Sequence, residues 1–276
     1  MKKILMTILA ATTLLSQGAL CSENAGTTTM KAGDAGLLDN VTAGYFGIYH
    51  GNSLTDPSSP YGLDRNGKVT QKANINLDGT LSAGYNITPR FNVGPEIPFI
   101  LIPVLGKGAI LGDVGFKVSD NNTIYYQGFK LSNSFGIQLP TGQSSLDRKM
   151  SMAIKIDPTL RYEFGQSGFT LGNYGELKTY LGVIRDKSFK IWTLPYANYK
   201  LTKTVSLNLG YEMEWQHYVN TPNTQFSTYQ MDLQPGVNWS ITKNVFFGPY
   251  LQIFTTQSDM NMDKMAVGAV ISAKLL

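Results

Sequence analysis

The sequence predicts an all-β fold, a single up-and-down antiparallel transmembrane β-barrel of about twelve strands, on three observations. Period-two alternation of apolar and polar residues recurs along almost the whole chain after residue 37, tight turns alternate with longer polar connections, and large aromatic residues gather at the ends of the apolar faces. Alternation alone does not decide the orientation. The stretch "IKIDPTLRYEF", residues 154–164, sets Ile154, Ile156, Pro158, Leu160, Tyr162 and Phe164 against Lys155, Asp157, Thr159, Arg161 and Glu163. That pattern suits a soluble sheet with its apolar face buried as well as a barrel with that face in lipid.

At the start of the chain, Lys2 and Lys3 precede an apolar stretch from Ile4 to Leu15 and then small residues, the layout of a secretory signal peptide. Residues 1–21 are assigned to it, with cleavage after Ala19-Leu20-Cys21 removing the only cysteine. Acylation of Cys21 is disfavoured, because Leu20 is bulky where a lipoprotein needs a small residue. Residues 22–37, which include "AGTTTMKAGDAG", read as a flexible leader or partial plug, and 38–276 as an outer-membrane β-barrel. Without a disulfide framework, pairing and packing must hold that barrel together.

The chain has 23 basic and 19 acidic residues; without Lys2 and Lys3 the balance is 21 to 19, with no basic tract. Nucleic acid is therefore not an expected partner. The longest apolar run after the signal, "IPFILIPVL" at 97–105, is broken by Pro98 and Pro103. It falls far short of the roughly 18–20 residues a spanning helix needs.

The first expected strand, 40–50, runs into the polar segment 51–67. The second and third, 72–87 and 91–103, flank the turn "TPR" at 88–90. The fourth, 109–118, follows the connection 104–108 and meets the fifth, 123–139, through "SDNN" at 119–122. After 140–149 comes the sixth, 150–164, which turns at "GQS" (165–167) into the seventh, 168–184. There Leu171, Leu177, Leu181 and Val183 oppose Thr170, Tyr174, Glu176, Lys178 and Tyr180. After 185–187, the eighth, 188–201, turns through "TK" (202–203) into the ninth, 204–218. In it Leu207, Leu209, Tyr211, Met213 and Trp215 alternate with Ser206, Asn208, Gly210, Glu212, Glu214 and Gln216. After 219–225, the tenth, 226–241, sets Tyr229, Met231, Leu233, Val237 and Trp239 against Gln230, Asp232, Gln234, Asn238 and Ser240. A second "TK" (242–243) leads to the eleventh, 244–256, and 257–261 to the twelfth, 262–276.

Tight turns thus follow the even strands and longer segments the odd ones, with 104–108 and 185–187 as shorter exceptions. Both termini are expected on the short-turn, periplasmic side. Strands of about ten residues or more are long for a soluble sandwich and suited to a tilted crossing of a bilayer.

On the apolar parity, Tyr85, Tyr162, Phe164, Tyr199 and Trp239 lie beside the tight turns, and Trp215 and Tyr229 lie toward the longer loops. These are the candidate membrane-interface aromatics, since such rings sit well between hydrocarbon and headgroups. The opposite parity then lines a wet lumen. Its candidate pore-lining residues are Lys130, Lys155, Asp157, Arg161, Glu163, Glu176, Lys178, Lys190, Glu212, Glu214 and Asp232. A two-residue turn at Gln166-Ser167 places Asp157 opposite Glu176 and Lys155 opposite Lys178, so the diagonals Lys155 with Glu176 and Asp157 with Lys178 are expected to pair. Glu212, Glu214 and Asp232, with Lys190 beside Glu214, form a facing acidic wall and a transverse field. The alternative is that these charges simply pair and fill a narrow barrel. Pro158, Pro195 and Pro235 each precede an aromatic residue on the same face by four positions (Tyr162, Tyr199, Trp239). Because proline removes a ladder donor, a bulge is expected at each.

On these residues the chain resembles the Gram-negative outer-membrane β-barrel proteins, broadly the porins, over nearly all of its length after the signal. "FGIQLPTG", residues 135–142, resembles the strand-end Leu-Pro-Thr-Gly stretch of the phenol-degradation-pathway outer-membrane transporter family, which implies a small, hydrophobic permeant. A plain strand end with a Pro-containing turn is the other reading of those residues. The resemblance implies outer-membrane lipids and the outer-membrane assembly machinery as partners, although "ISAKLL" ends on Leu276 where such barrels usually carry a terminal aromatic. The expected function is a narrow passive channel for small polar solutes or ions. The alternatives are a non-conducting structural or adhesive outer-membrane protein and a transporter of small hydrophobic compounds. No cofactor and no enzymatic activity are expected. His50 and His217 lie near loop ends, with Ser53 and Asp56 in "HGNSLTD", but sequence spacing does not secure a Ser–His contact. Two distant histidines make no transition-metal site, and calcium at Glu212, Glu214 and Asp232 would need further oxygen ligands that the sequence does not place.

Overall fold

Alternation of this length demands extended backbone whose edges are all paired, and in a computed structural model the strands close on themselves. The described residues are 40–64, 67–103, 108–183, 186–222, 225–255 and 262–276, without the side chains of 71–74. The expected signal peptide (1–21), the leader (22–37) and most of the connections 104–108 and 257–261 lie outside them.

Strand β1 (Val41–Ser53) leads into a small hairpin, β2 (Tyr61–Leu63) and β3 (Val69–Asn74), and then β4 (Asn76–Asn86). There follow β5 (Phe91–Ile102), the short β6 (Gly108–Leu111), β7 (Gly115–Tyr126), β8 (Phe129–Gln138), helix α1 (Gln143–Asp147) and β9 (Met152–Glu163). The chain continues through β10 (Phe169–Leu181), β11 (Lys187–Lys200), β12 (Val205–Tyr218), β13 (Ser227–Ser240), β14 (Val245–Phe254) and β15 (Met265–Lys274). Strands β7 to β15 each pair antiparallel with the next, β15 pairs with β1, β1 with β4, and β4 with β5. β5 pairs along its first half with β7 and along its second with β6, so β6 and β7 share one place and the ring has twelve staves. Five tight turns occupy one end, and the described parts of the longer loops occupy the other.

One turn lies elsewhere than expected. β7 runs straight through "SDNN", and the hairpin to β8 closes at Gln127-Gly128, with Tyr126 opposite Phe129. Gln127 and Gly128 have φ of 44° and 83°, the doubly positive pattern of a type I′ turn. Residues 121–123 instead form a bulge, because Asp120 pairs with Asn133 while Ile124 pairs with Leu131. Arg90 grips the Asp120 carboxylate there at 2.7 and 2.6 Å.

The expected proline bulges are absent. Pairing of β9 with β8 runs without a shift past Asn133–Pro158; on the β10 side it lapses between Leu160–Asn173 and Ile156–Leu177 and resumes in the same register. Pro195 and Pro235 behave alike, each regular on one side and lapsed on the other. A missing donor on one side is met by opening that seam locally, with no extra residue inserted. The β9–β10 register nevertheless agrees with the sequence, with Lys155 opposite Lys178.

Polarity is inverted relative to a soluble protein. Leu171, Leu207, Leu209, Val237, Leu251 and Val267 point outward and are exposed, while Asp157, Gln216, Asp232, Gln234, Gln252 and Ser272 are buried inside, Asp232 completely. Apolar surface outside and polar surface within is what a closed barrel in lipid requires.

At the long-loop end, "LPTG" (139–142) is stitched to the facing loop. The Val114 amide donates to Thr141 Oγ1 (2.8 Å), Thr141 donates to the Gly112 carbonyl, and the Gly142 amide donates to Asp113 (3.0 Å). Met150, just after α1, packs with Ala153 and Tyr180 in a small buried cluster.

Candidate functional site

The candidate site is the inner wall, and its charges are ordered by row. Lys155, Lys178 and Lys190 stand directly opposite one another across β9, β10 and β11. Two residues nearer the short turns lie Asp157, Glu176, Trp192 and Glu214, with Glu176 opposite Trp192 and Trp192 opposite Glu214. Beyond them Glu212 is opposite Asp232. Basic and acidic side chains thus form successive bands along the barrel axis, where the sequence suggested opposing walls.

The expected diagonals do not form. Lys155 pairs with Glu96 on β5 (2.9 Å) and with Asp157 (3.2 Å), and Lys117 also pairs with Glu96. Glu176 is taken by Lys190 (2.7 Å), which also stands 3.9 Å from Glu214, the one expected neighbour it has. A missing side chain decides the first choice. Lys155 crosses β8 over Gly136, where a Cβ would lie only 2.8 Å from Lys155 Cε. Lys178 is left to lie over the ring of Tyr180, 5.0 Å from its centroid.

The acidic band is held by N–H donors. Glu212 accepts from Trp192 Nε1 and from Gln234, each at 2.6 Å, and Asp232 accepts from the amides of Gln230, Gln234 and Gln252 at 2.7 to 3.0 Å. Toward the short turns Lys130 is opposite Arg161, which pairs with Glu163 at 2.7 Å. On the other side of the barrel the inner wall lines a half-open cavity of about 430 Å3, bordered among others by Thr42, Ser82, Glu96, Lys117, Lys155 and Glu176.

Outside, Tyr85, Tyr162, Phe164, Tyr199 and Trp239 are exposed beside the short turns. Tyr126, in the outer row with Phe129 and Tyr162 and hidden from the sequence pattern by the displaced turn, is more exposed still at 66%, whereas Tyr125 stands opposite Lys130 on the other face at the barrel's rim. Trp215 is half-buried on the outer face. Tyr229 falls at a register shift between Glu214–Gln230 and Trp215–Thr228, and its ring lies 5.8 Å from the ammonium of Lys187.

The two histidines stand apart. His50 Nε2 is 3.4 Å from Asp78, while Ser53 Oγ bonds Thr55 (2.9 Å) and Asp56 accepts from Ser58. His217 Nδ1 meets Ser188 Oγ at 2.6 Å and Nε2 lies 3.2 Å from the Pro222 carbonyl, an arrangement that pins the loop after β12.

No family model and no curated protein matches the chain. Among solved structures it is similar to an outer membrane channel from Pseudomonas putida F1, at 12% identity over 86% of this chain and 96% of that chain, with a TM-score of 0.55. It also aligns with LpxR from Salmonella typhimurium, at 10% identity over 84% and 99% of the two chains, with a TM-score of 0.41. The likeness to the channel is one of fold, and the barrel resembles outer-membrane proteins of Gram-negative bacteria.

Proposed function

We propose that the protein sits in the outer membrane of a Gram-negative bacterium and forms a narrow passive channel for small polar solutes or ions. One observation carries this reading: inside an apolar exterior, polar and charged side chains, Glu96, Lys117, Lys155 and Glu176 among them, line a half-open cavity of about 430 Å3. Polar groups withdrawn from lipid are stable only where they pair or meet water, and a cavity with both charges on its lining suits water and hydrated solutes. The fold likeness to a protein described as an outer membrane channel supports the same reading. Twelve staves leave a narrow passage, which limits the permeant to small solutes. The chemistry of the wall is binding and screening of charge, with neither enzyme activity nor a cofactor in the proposal.

The second reading is a non-conducting structural barrel, favoured by the ion pairs of Lys155 and Lys190 that reach across the wall. Single-channel recording of the refolded protein in a planar bilayer separates the two. Discrete steps are expected, with Lys155→Glu moving the permeability ratio severalfold toward cations and Glu176→Lys moving it toward anions. Absence of steps in a correctly folded sample would leave the structural reading.

A further inference from the structure

The row of three lysines is neutralised at its two ends and not in the middle. Like charges directly opposite one another in a sheet repel, and Lys155 answers this with Glu96 and Asp157, Lys190 with Glu176. Among the described residues Lys178 has no ion pair. Its own-strand neighbour Glu176 is engaged by Lys190, and its ammonium rests over Tyr180. Lys187 also lacks an ion pair among the described residues, and its ammonium lies 5.8 Å from the centroids of both Tyr180 and Tyr229.

The other charged groups nearby, among the described residues, are already committed. Arg148, 5.7 Å from the Tyr180 ring, is bound to Asp186 at 3.1 Å. Asp113 takes the Gly142 amide and the Ser145 hydroxyl, and Glu214 takes the Gln216 amide. Tyr180 itself is fixed by Met150, Ala153 and Val183, so the two ammonium groups flank a rigid platform at the long-loop mouth. A ring face attracts a cation more weakly than a carboxylate or phosphate does, and each ammonium has three donors to place.

We propose that Lys178 and Lys187, beside Tyr180, form a binding station for a small oxyanion, a phosphate or a carboxylate, at the long-loop end of the lumen. The flexible four-carbon stems let both ammonium groups turn from the ring to one anion. This rests on the water-filled interior of the channel reading, though not on flow through it.

Calorimetric titration of inorganic phosphate, and separately acetate, into the detergent-refolded protein at constant ionic strength tests the site. Saturable one-site binding is expected for at least one of the two anions. In K178Q/K187Q it should weaken by about tenfold or more. K68Q/K149Q, which removes two exposed lysines from the same end, should bind as the parent does. Heat-dependent gel mobility verifies that each variant is folded. The proposal is overturned if neither anion binds saturably, or if K68Q/K149Q loses as much affinity as K178Q/K187Q. Binding without conductance steps would remove the channel reading and keep the site; steps without binding would do the reverse.

Discussion

A twelve-stave wall keeps an open centre only if its large side chains lie flat, and single glycines arrange this. Tyr196 lies over Gly172, where a Cβ would stand 2.4 Å from the ring and 2.7 Å from the Leu160 carbonyl; Tyr250 lies over Gly268 in the same way. Gly172→Val therefore forces Tyr196 off the wall and into the lumen. Overpacking of this kind costs about 1–3 kcal/mol, to be read as a lower denaturant midpoint of the refolded protein, with reduced conductance. The same device explains what was legible at this scale. Parity alone placed Lys155, Glu176 and Lys190 on the inner face. Their partners were not legible, because Lys155 reaches Glu96 across two intervening strands through a groove made by the absent side chain of Gly136. Sequence patterns record which way a residue points, and seldom where a long flexible stem comes to rest.

At the scale of elements, turn chemistry competed with strand continuation. "SDNN" carries stronger turn residues than "QG", yet the chain bulges at the first and reverses at the second, because two positive-φ residues match the twist of the flanking strands. Gly128 supplies one of them, and a Cβ there would lie 2.6 Å from the Glu163 carbonyl. Gly128→Val should thus cost more than about 1 kcal/mol, whereas Gln127→Asn, better suited to positive φ, should stabilise by a few tenths. Equilibrium unfolding in urea distinguishes the opposite signs. The β9–β10 register was legible because a tight turn and a buried face both specify it. The proline seams were misread for the reason that a lapsed ladder and a bulge both spare the missing donor, and sequence does not say which neighbour yields.

For the whole molecule, the proposed function turns on hydrocarbon outside and water within, which can be tested on the outer face alone. Leu209 is 46% exposed on β12, opposite Pro235, flanked on its own parity by Leu207 and Tyr211. On a surface in water, replacing so exposed a leucine changes stability by at most about 0.5 kcal/mol. In a bilayer, an arginine on the lipid face costs about 2–4 kcal/mol near the mid-plane and about 0–1 near the interfaces. Leu209→Arg should therefore destabilise the protein strongly in lipid vesicles, while Lys203→Ala in a short turn should leave it unchanged. The measurement is the urea midpoint of each variant refolded into the same vesicles. A loss below about 0.5 kcal/mol both for Leu209→Arg and for Tyr211→Arg, which lies nearer the middle of β12, would mean that this face meets water, and the inward assignment of Glu212, Glu214 and Asp232 would fall with it.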